Sequence, residues 1–184
     1  MGEIQNFTPA AHMTREQILR RRIKLCTGFF ILGLVVSGAT ALPLNWELDL
    51  LVNWLGLAGQ TSATAHSELA RWLVTAREAL RDVSARHPQL FYGTDWLAFG
   101  HFVIALAFVG ALRDPVRNRW LFDFGLIVCV LVIPFAMVFG ALRGIPFWWR
   151  LIDCSFGVFG FVPLWFCRRW TRKLESLVST ARDR

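Results

Sequence analysis

The sequence lacks the short motifs that accompany several common enzyme chemistries. It contains no HExxH, no CxxC, no phosphate-binding loop and no G-x-S-x-G turn, so metalloprotease, redox and serine hydrolase interpretations have no motif to support them. Its four cysteines all fall within or at the edges of apolar segments, which argues against a structural disulfide framework. We therefore expect the cysteines to act as small buried apolar residues.

Polar residues are also scarce over long stretches of the chain. Hydrophobic residues make up 55% of the 184, with 16 Phe and 9 Trp, and this is too apolar for an ordinary soluble core. Four segments are long enough to cross a hydrocarbon layer as helices. We predict an all-α integral membrane protein, a single membrane domain over 1–184 with four transmembrane helices. The predicted spans are Leu25–Leu42, Trp96–Leu112, Leu121–Leu142 and Trp148–Cys167.

The net charge of +7 is unevenly distributed between the segments that flank these spans. The leader 1–24 carries +3, the turn 113–120 carries +2 and the tail 168–184 carries +4, whereas 43–95 carries −2. The positive-inside rule then predicts cytoplasmic termini, with 43–95 and the short turn 143–147 outside. This pattern points to membrane orientation, with lipids as partners, rather than to nucleic-acid binding. We expect the membrane to be a bacterial-type inner membrane.

The first apolar span could also be a signal peptide cleaved near Ala41. We favour a retained helix because a polar leader precedes its basic flank. Residues Thr14 to Gln17 have the form of a capping box, so the helix should begin near Arg15 and continue into the bilayer.

The outer segment 43–95 has the periodicity of helices. Apolar residues recur at helical spacing between Ala63 and Arg86, with charged residues opposite them, and Thr61 or Ser62 is placed to cap this helix. A shorter apolar stripe precedes it. We predict a helical extracytoplasmic cap between the first two spans, and that stripe consists of Trp46, Leu50, Leu51, Trp54 and Leu55.

The remaining local patterns concern the ends and contacts of the helices. Asp114 and Pro115 predict that the third helix begins near Pro115, and 171–184 should form a short amphipathic or fraying helix. Arg119 and Asp123 are spaced for an i,i+4 ion pair. Small residues predict close helix approaches at Gly33 with Ser37, Ala136 with Gly140 and Gly144, and Gly157 with Gly160.

Ionisable residues at the outer ends of the spans are the candidate site. Such groups are costly near lipid and need partners. Arg150 and Asp153 are spaced to bridge each other, and Asp95 is available to Arg143. The polar-network or ligand-site candidates are Asp95, His101, Arg143, Arg150 and Asp153, with Trp96, Trp148 and Trp149 as the walls of a pocket.

A purely structural role is the simplest interpretation of this polar network, because buried ion pairs often fix helix register. An intramembrane histidine such as His101 is likewise more often a packing residue than a ligand. Haem is a minor possibility, with His66, His87 and His101 as the available axial ligands. We predict no cofactor and no metal site.

Three functional hypotheses remain open on the sequence. The first is a non-enzymatic multi-pass membrane protein that acts as an accessory, assembly or scaffold component through its helices and cap. It would act as a homo-oligomer or with a membrane-protein partner. The second is an outer-leaflet lipid or amphiphile-binding protein, possibly an enzyme, in which Arg143 and Arg150 hold an anionic headgroup and His101 or Asp153 acts as acid or base. The third is a homo-oligomeric channel.

Overall fold

The computed structural model describes residues 14–182, and within that range every regular element is helical. The first thirteen residues of the predicted leader and the last two of the predicted tail lie outside the described residues. The elements are α1 (Arg15–Thr40), α2 (Leu44–Trp54), α3 (Glu68–Arg86), a short 3-10 helix (Pro88–Phe91), α4 (Tyr92–Arg113), α5 (Arg119–Leu142) and α6 (Phe147–Arg182).

Four helical stretches are long and apolar enough to cross a membrane. They are Arg15–Thr40, Pro88–Arg113, Arg119–Leu142 and Phe147–Thr180, and each overlaps one of the predicted spans. The prediction of an all-helical chain with four helices that are long and apolar enough to span a membrane is therefore confirmed over the described residues. Its sidedness and the position of residues 43–95 relative to a membrane stay predictions.

The start of α1 follows the predicted capping box. The backbone N–H of Thr14 donates to Gln17 Oε1 at 2.9 Å, and the backbone N–H of Gln17 donates to Thr14 Oγ1 at 3.3 Å. These two bonds satisfy N–H groups that the first turn of a helix leaves without intrahelical partners. The helix then continues without interruption to Thr40.

The chain forms two compact units. One comprises the residues up to Phe30 together with those from Val109 onward, and the other comprises Ile31–Phe108. The boundaries fall within α1 and α4, so each of these helices contributes to both units. The first unit contains α5 and α6, and the second contains α2 and α3.

In the first unit, α5 and α6 form an antiparallel hairpin joined by a turn in which Gly144 has φ +69°. The helices approach most closely at Gly157, where an added Cβ would lie 2.5 Å from the Cys129 carbonyl oxygen. The first half of α1 packs on the second half of α6, with Thr27 Oγ1 3.6 Å from Cys167 Sγ. The predicted approach at Gly157 is therefore present.

In the second unit, α2 and α3 pack through Val52, Leu73 and Val74, which are almost fully buried. The backbone of α1 also meets α4 closely here, at Gly38, where an added Cβ would lie 3.0 Å from the Ala98 carbonyl oxygen. The close approach was predicted at Gly33, which has no neighbour within 4 Å. That position was wrong because small residues recur every few positions in α1 and their spacing does not specify the contact face.

Two predicted helix starts were too early, and local side-chain hydrogen bonds explain both. α3 begins at Glu68, where Ser67 accepts from the Ala70 N–H; upstream, Thr64 Oγ1 accepts from the Thr61 N–H at 2.8 Å and closes a separate turn. α5 begins at Arg119, because Asp114 and Asn118 organise a turn at 114–118. Asp114 Oδ1 accepts from the Arg117 N–H at 3.1 Å, and Asn118 Nδ2 donates to the Gly110 carbonyl at 3.0 Å.

The tail does not form a separate short helix over its described part. α6 runs continuously from Phe147 to Arg182 and contains Pro163. Leu164, Cys167, Thr171 and Leu174 are fully buried along one side of it. This buried face continues beyond the predicted end of the span at Cys167.

Candidate functional site

The predicted polar cluster draws on both compact units. Asp95 and His101 belong to residues 31–108, whereas Arg143, Arg150 and Asp153 belong to the other unit. Their convergence stays a prediction. Within each unit, however, the surroundings of each side chain are defined.

Arg150 ties α6 to α5 across the hairpin. Its Nη1 donates to the Met137 carbonyl at 3.2 Å, and its guanidinium carbon lies 5.4 Å from the centre of the Phe147 ring. Its Cγ and Cδ atoms lie over Gly140, within 2.6 Å of where a Cβ would be. Arg150 Nε is buried and has no hydrogen-bond partner. Through these contacts the Arg150 side chain connects α6 with the backbone of α5, and Gly140 leaves the space that this side chain occupies.

The expected bridge between Arg150 and Asp153 is not formed, and no ion pair of Asp153 or Arg143 occurs among residues 14–180. Asp153 is half-buried and Arg143 is exposed. Arg143 is the C-cap of α5, with its backbone N–H directed to the Phe139 and Ala141 carbonyls. The partial negative charge at the C-terminal end of a helix also stabilises a cation at this position. Trp148 and Trp149 meet edge to face, 5.6 Å apart.

His101 binds its own helix. Its Nδ1–H donates to the Leu97 carbonyl at 2.8 Å. The Cβ of His101 is also part of the close approach of α4 to Gly38, at 3.0 Å from an added Cβ. These contacts are those of a packing residue.

Asp95 lies in a cavity with three aromatic side chains. The cavity is a shallow, largely open depression of about 230 Å³ on the surface of α4, and it is lined by Tyr92, Asp95, Trp96 and Phe99. Asp95 and Trp96 were predicted as site residues, but Tyr92 and Phe99 were not. The spacing of the three aromatics at i, i+4 and i+7 places them on one helix face and was the signal in the sequence.

Further polar contacts connect α5 with α6 at the other end of the hairpin. Arg119 Nη1 binds both carboxylate oxygens of Glu175, at 3.1 and 2.8 Å, and Arg168 Nε binds Asp123. The predicted Arg119–Asp123 pair was therefore wrong. An i,i+4 pair on a helix surface is weak, so each residue instead takes a partner that the packing of α6 supplies.

The described part of the chain offers no cluster of metal ligands. Between residues 14 and 182, no group of three or more His, Cys, Asp or Glu side chains is placed to hold a metal ion. His66 and His87 are exposed, whereas His101 is half-buried.

The four apolar helices define the class of this chain as a multi-pass membrane protein. A scan against protein families and searches of curated proteins and of solved structures find no match to it.

Proposed function

We propose that this chain is a non-enzymatic accessory or assembly component of a cell membrane. It forms a four-helix bundle, with both termini in the cytoplasm and residues 43–95 as an extracytoplasmic cap. The charge distribution along the sequence supports this orientation, and the membrane we propose is a bacterial inner membrane. The cap and helices make the contacts through which the protein acts, either with a membrane-protein partner or with a second copy of itself.

The observation that carries the proposal is an uncovered apolar face on α2, outside the candidate spans. Trp46, Leu50 and Trp54 follow one another at i, i+4 and i+8, and their exposed fractions are 64%, 54% and 81%. On the other side of the helix, Val52 packs towards α3 with no exposed surface. We call Trp46, Leu50 and Trp54 the α2 face.

Exposure of such an apolar face to water is unfavourable, whereas its burial against a partner stabilises an interface. Tryptophan contributes more binding energy than most side chains when it enters a pocket on a partner, and contiguous exposed apolar patches mark interaction sites. Arg81 on α3 pairs with Asp49 on α2 at 2.7 Å and links the two helices. The α2 face is thus presented on a supported helix.

Site-specific photocrosslinking in native membranes tests this proposal. A photoreactive phenylalanine analogue in place of Trp54 should capture a protein, either another subunit or a different membrane protein. The matched control carries the same analogue in place of Glu78, on the exposed side of α3. The proposal fails if position 54 captures only lipid and the purified protein is a monodisperse monomer.

Binding of an anionic lipid headgroup is the second candidate function. Its support is that neither Arg143 nor Arg150 pairs with a carboxylate in the described residues, while the Arg150 guanidinium donates only to a carbonyl. Arginine forks suit phosphate. Replacement of Arg143 by Gln should reduce retention of phosphatidylglycerol by the purified protein, whereas Arg117→Gln, in the turn at 114–118, should not. Equal retention by both variants would remove this candidate.

A further inference from the structure

The cavity at the start of α4 has the composition of a cation-binding site. Tyr92 and Trp96 meet edge to face with ring centres 5.9 Å apart, and Trp96 and Phe99 do so at 5.6 Å. The rings are therefore nearly perpendicular to one another, at 88° and 89°. Perpendicular neighbouring rings give a cavity both faces and edges, and aromatic faces attract cations through their quadrupole.

Asp95 provides a negative charge at the same place. It is exposed and lies within the first turn of α4, and no ion pair of Asp95 occurs among residues 14–180. A carboxylate beside three aromatic rings matches an alkylated ammonium group, since the rings contact the methyl or methylene groups and the carboxylate balances the charge. The Asp95 carboxylate disfavours an anionic group, such as a phosphate or a carboxylate, in the position of the ammonium group.

The surface that continues from the cavity indicates what carries the ammonium group. Phe99, Val103 and Leu106 lie on the same face of α4, at successive turns, and all three are exposed, with Leu106 at 71%. This apolar face runs from the cavity along a helix that is long and apolar enough to span a membrane. An acyl chain can contact such a face along its length, whereas a small soluble ammonium compound has no hydrocarbon chain to do so.

We propose that Tyr92, Asp95, Trp96 and Phe99 bind the ammonium headgroup of a zwitterionic phospholipid, with ethanolamine or choline at its end. One acyl chain of that lipid lies along Phe99, Val103 and Leu106. This site is independent of the α2 face and differs in charge from the second candidate function. The lipid that binds there must carry both an ammonium group and a hydrocarbon chain.

Native mass spectrometry of the full-length protein, released from detergent micelles, tests the site. The protein is titrated with phosphatidylethanolamine, phosphatidylcholine and phosphatidylglycerol of identical acyl chains, and the occupancy of the first bound lipid is measured. We expect the two ammonium lipids to bind more tightly than phosphatidylglycerol. Asp95→Asn and Trp96→Leu should each weaken their binding about fivefold, and Asp95→Glu should retain most of it.

Matched controls separate the site from general lipid adhesion. Asp82→Asn removes the same charge from the exposed side of α3, and Trp120→Leu removes a tryptophan of similar exposure, 59% against 56% for Trp96. Both should bind ammonium lipids as the unaltered protein does. Helix content and elution volume establish that every variant is folded, which these exposed positions permit.

Three results would overturn the proposal. The first is equal binding of phosphatidylglycerol and phosphatidylcholine by the unaltered protein. The second is unchanged ammonium-lipid binding in Asp95→Asn together with Trp96→Leu. The third is displacement of bound phosphatidylcholine by tetramethylammonium at similar concentration, which would assign the cavity to a soluble cation and exclude the acyl-chain contact.

Discussion

The α5–α6 hairpin and the α2–α3 pair distribute apolar residues in opposite ways. In α3, Leu73 and Val74 are buried and the exposed side carries charged residues. In α5, large apolar side chains such as Leu131, Phe135 and Val138 are more than half exposed. The first pattern suits water and the second suits lipid, because lipid tails give no reason to bury a leucine.

The contacts that hold the two regions together differ accordingly. The hairpin relies on close backbone approach at Gly157 and on Arg150 over Gly140, with ion pairs at its far end. The α2–α3 pair relies on a small apolar core and one cross-helix ion pair, Asp49 with Arg81. The α5–α6 hairpin is thus packed as membrane helices are, and the α2–α3 pair is packed as helices in water are. The α2 face is the exception within this water-adapted region, because it leaves large apolar side chains exposed.

Replacement of a leucine by alanine should give the largest difference in stability between the α2–α3 pair and the hairpin. Leu73 is 1% exposed and Leu131 is 58% exposed. We expect Leu73→Ala to destabilise the α2–α3 pair by about 2–5 kcal/mol through lost burial and a cavity. Leu131→Ala should change the stability of the hairpin little, since that side chain contacts lipid whether or not the helices are packed.

Hydrogen exchange measured by mass spectrometry in lipid nanodiscs checks this contrast. Leu73→Ala should lose protection in α2 and α3 while α5 and α6 exchange as before. If Leu131→Ala deprotected α5 as much as Leu73→Ala deprotects α3, the exposed face of α5 would be a protein interface and the comparison would be wrong.

A single methyl group should have the next largest effect. Gly157→Ala would place a Cβ 2.5 Å from the Cys129 carbonyl oxygen and 2.6 Å from Val132 Cγ1, so the helices must separate. We expect a loss of about 1–3 kcal/mol in reversible denaturation with sodium dodecyl sulfate. Gly28→Ala is the control, since a Cβ there meets nothing within 4 Å and alanine has a higher helix propensity. Equal loss in both variants would rule out close approach as the cause.

Helix content and spans followed from the sequence because they depend on local composition. Apolar runs, a capping box at Thr14 and basic flanks act over a few residues and need no knowledge of neighbours. Contacts were harder to predict. Arg119 and Asp123 were expected to pair within α5, yet each binds a residue of α6, which depends on helix rotation and cannot be obtained from spacing alone.

The candidate site was predictable only in part for the same reason. Asp95 and Trp96 were identified from their position at the outer end of the second predicted span, and the cavity adds Tyr92 and Phe99 from the same helix face. Arg150 was expected to bind Asp153, one turn along its own helix. It instead binds the Met137 carbonyl, because Gly140 on α5 leaves space for its side chain.

The ion pairs of the two regions should differ in strength. Arg168, the partner of Asp123, is only 15% exposed, whereas Arg81, the partner of Asp49, is 57% exposed. We expect Asp123→Asn to cost about 1–3 kcal/mol, because it leaves a largely buried guanidinium with a weaker partner. Asp49→Asn should cost about 0.2–1 kcal/mol.

Salt titration distinguishes the two pairs independently of these magnitudes. The effect of Asp49→Asn on thermal unfolding should shrink at high ionic strength, since exposed charges are screened. The effect of Asp123→Asn should persist. If both effects disappeared in salt, the Arg168 side chain would be solvated and the hairpin would not differ from the α2–α3 pair in this respect.

The smallest expected effect concerns Glu47 on α2, at the edge of the water-adapted region. Burial raises the pKa of its carboxyl above the ordinary value of 4.5. A carboxyl whose pKa is higher in the folded than in the unfolded state favours folding when it is protonated. When it is ionised it destabilises the folded state, and this destabilisation grows as pH rises through the two pKa values and is complete at neutral pH. Glu47→Gln should therefore raise the thermal midpoint slightly at neutral pH and leave it unchanged well below pH 4.5. Glu78→Gln, on the exposed side of α3, is the control. An equal gain from Glu78→Gln would mean that overall charge, rather than the apolar surroundings of Glu47 beside the α2 face, determines the effect.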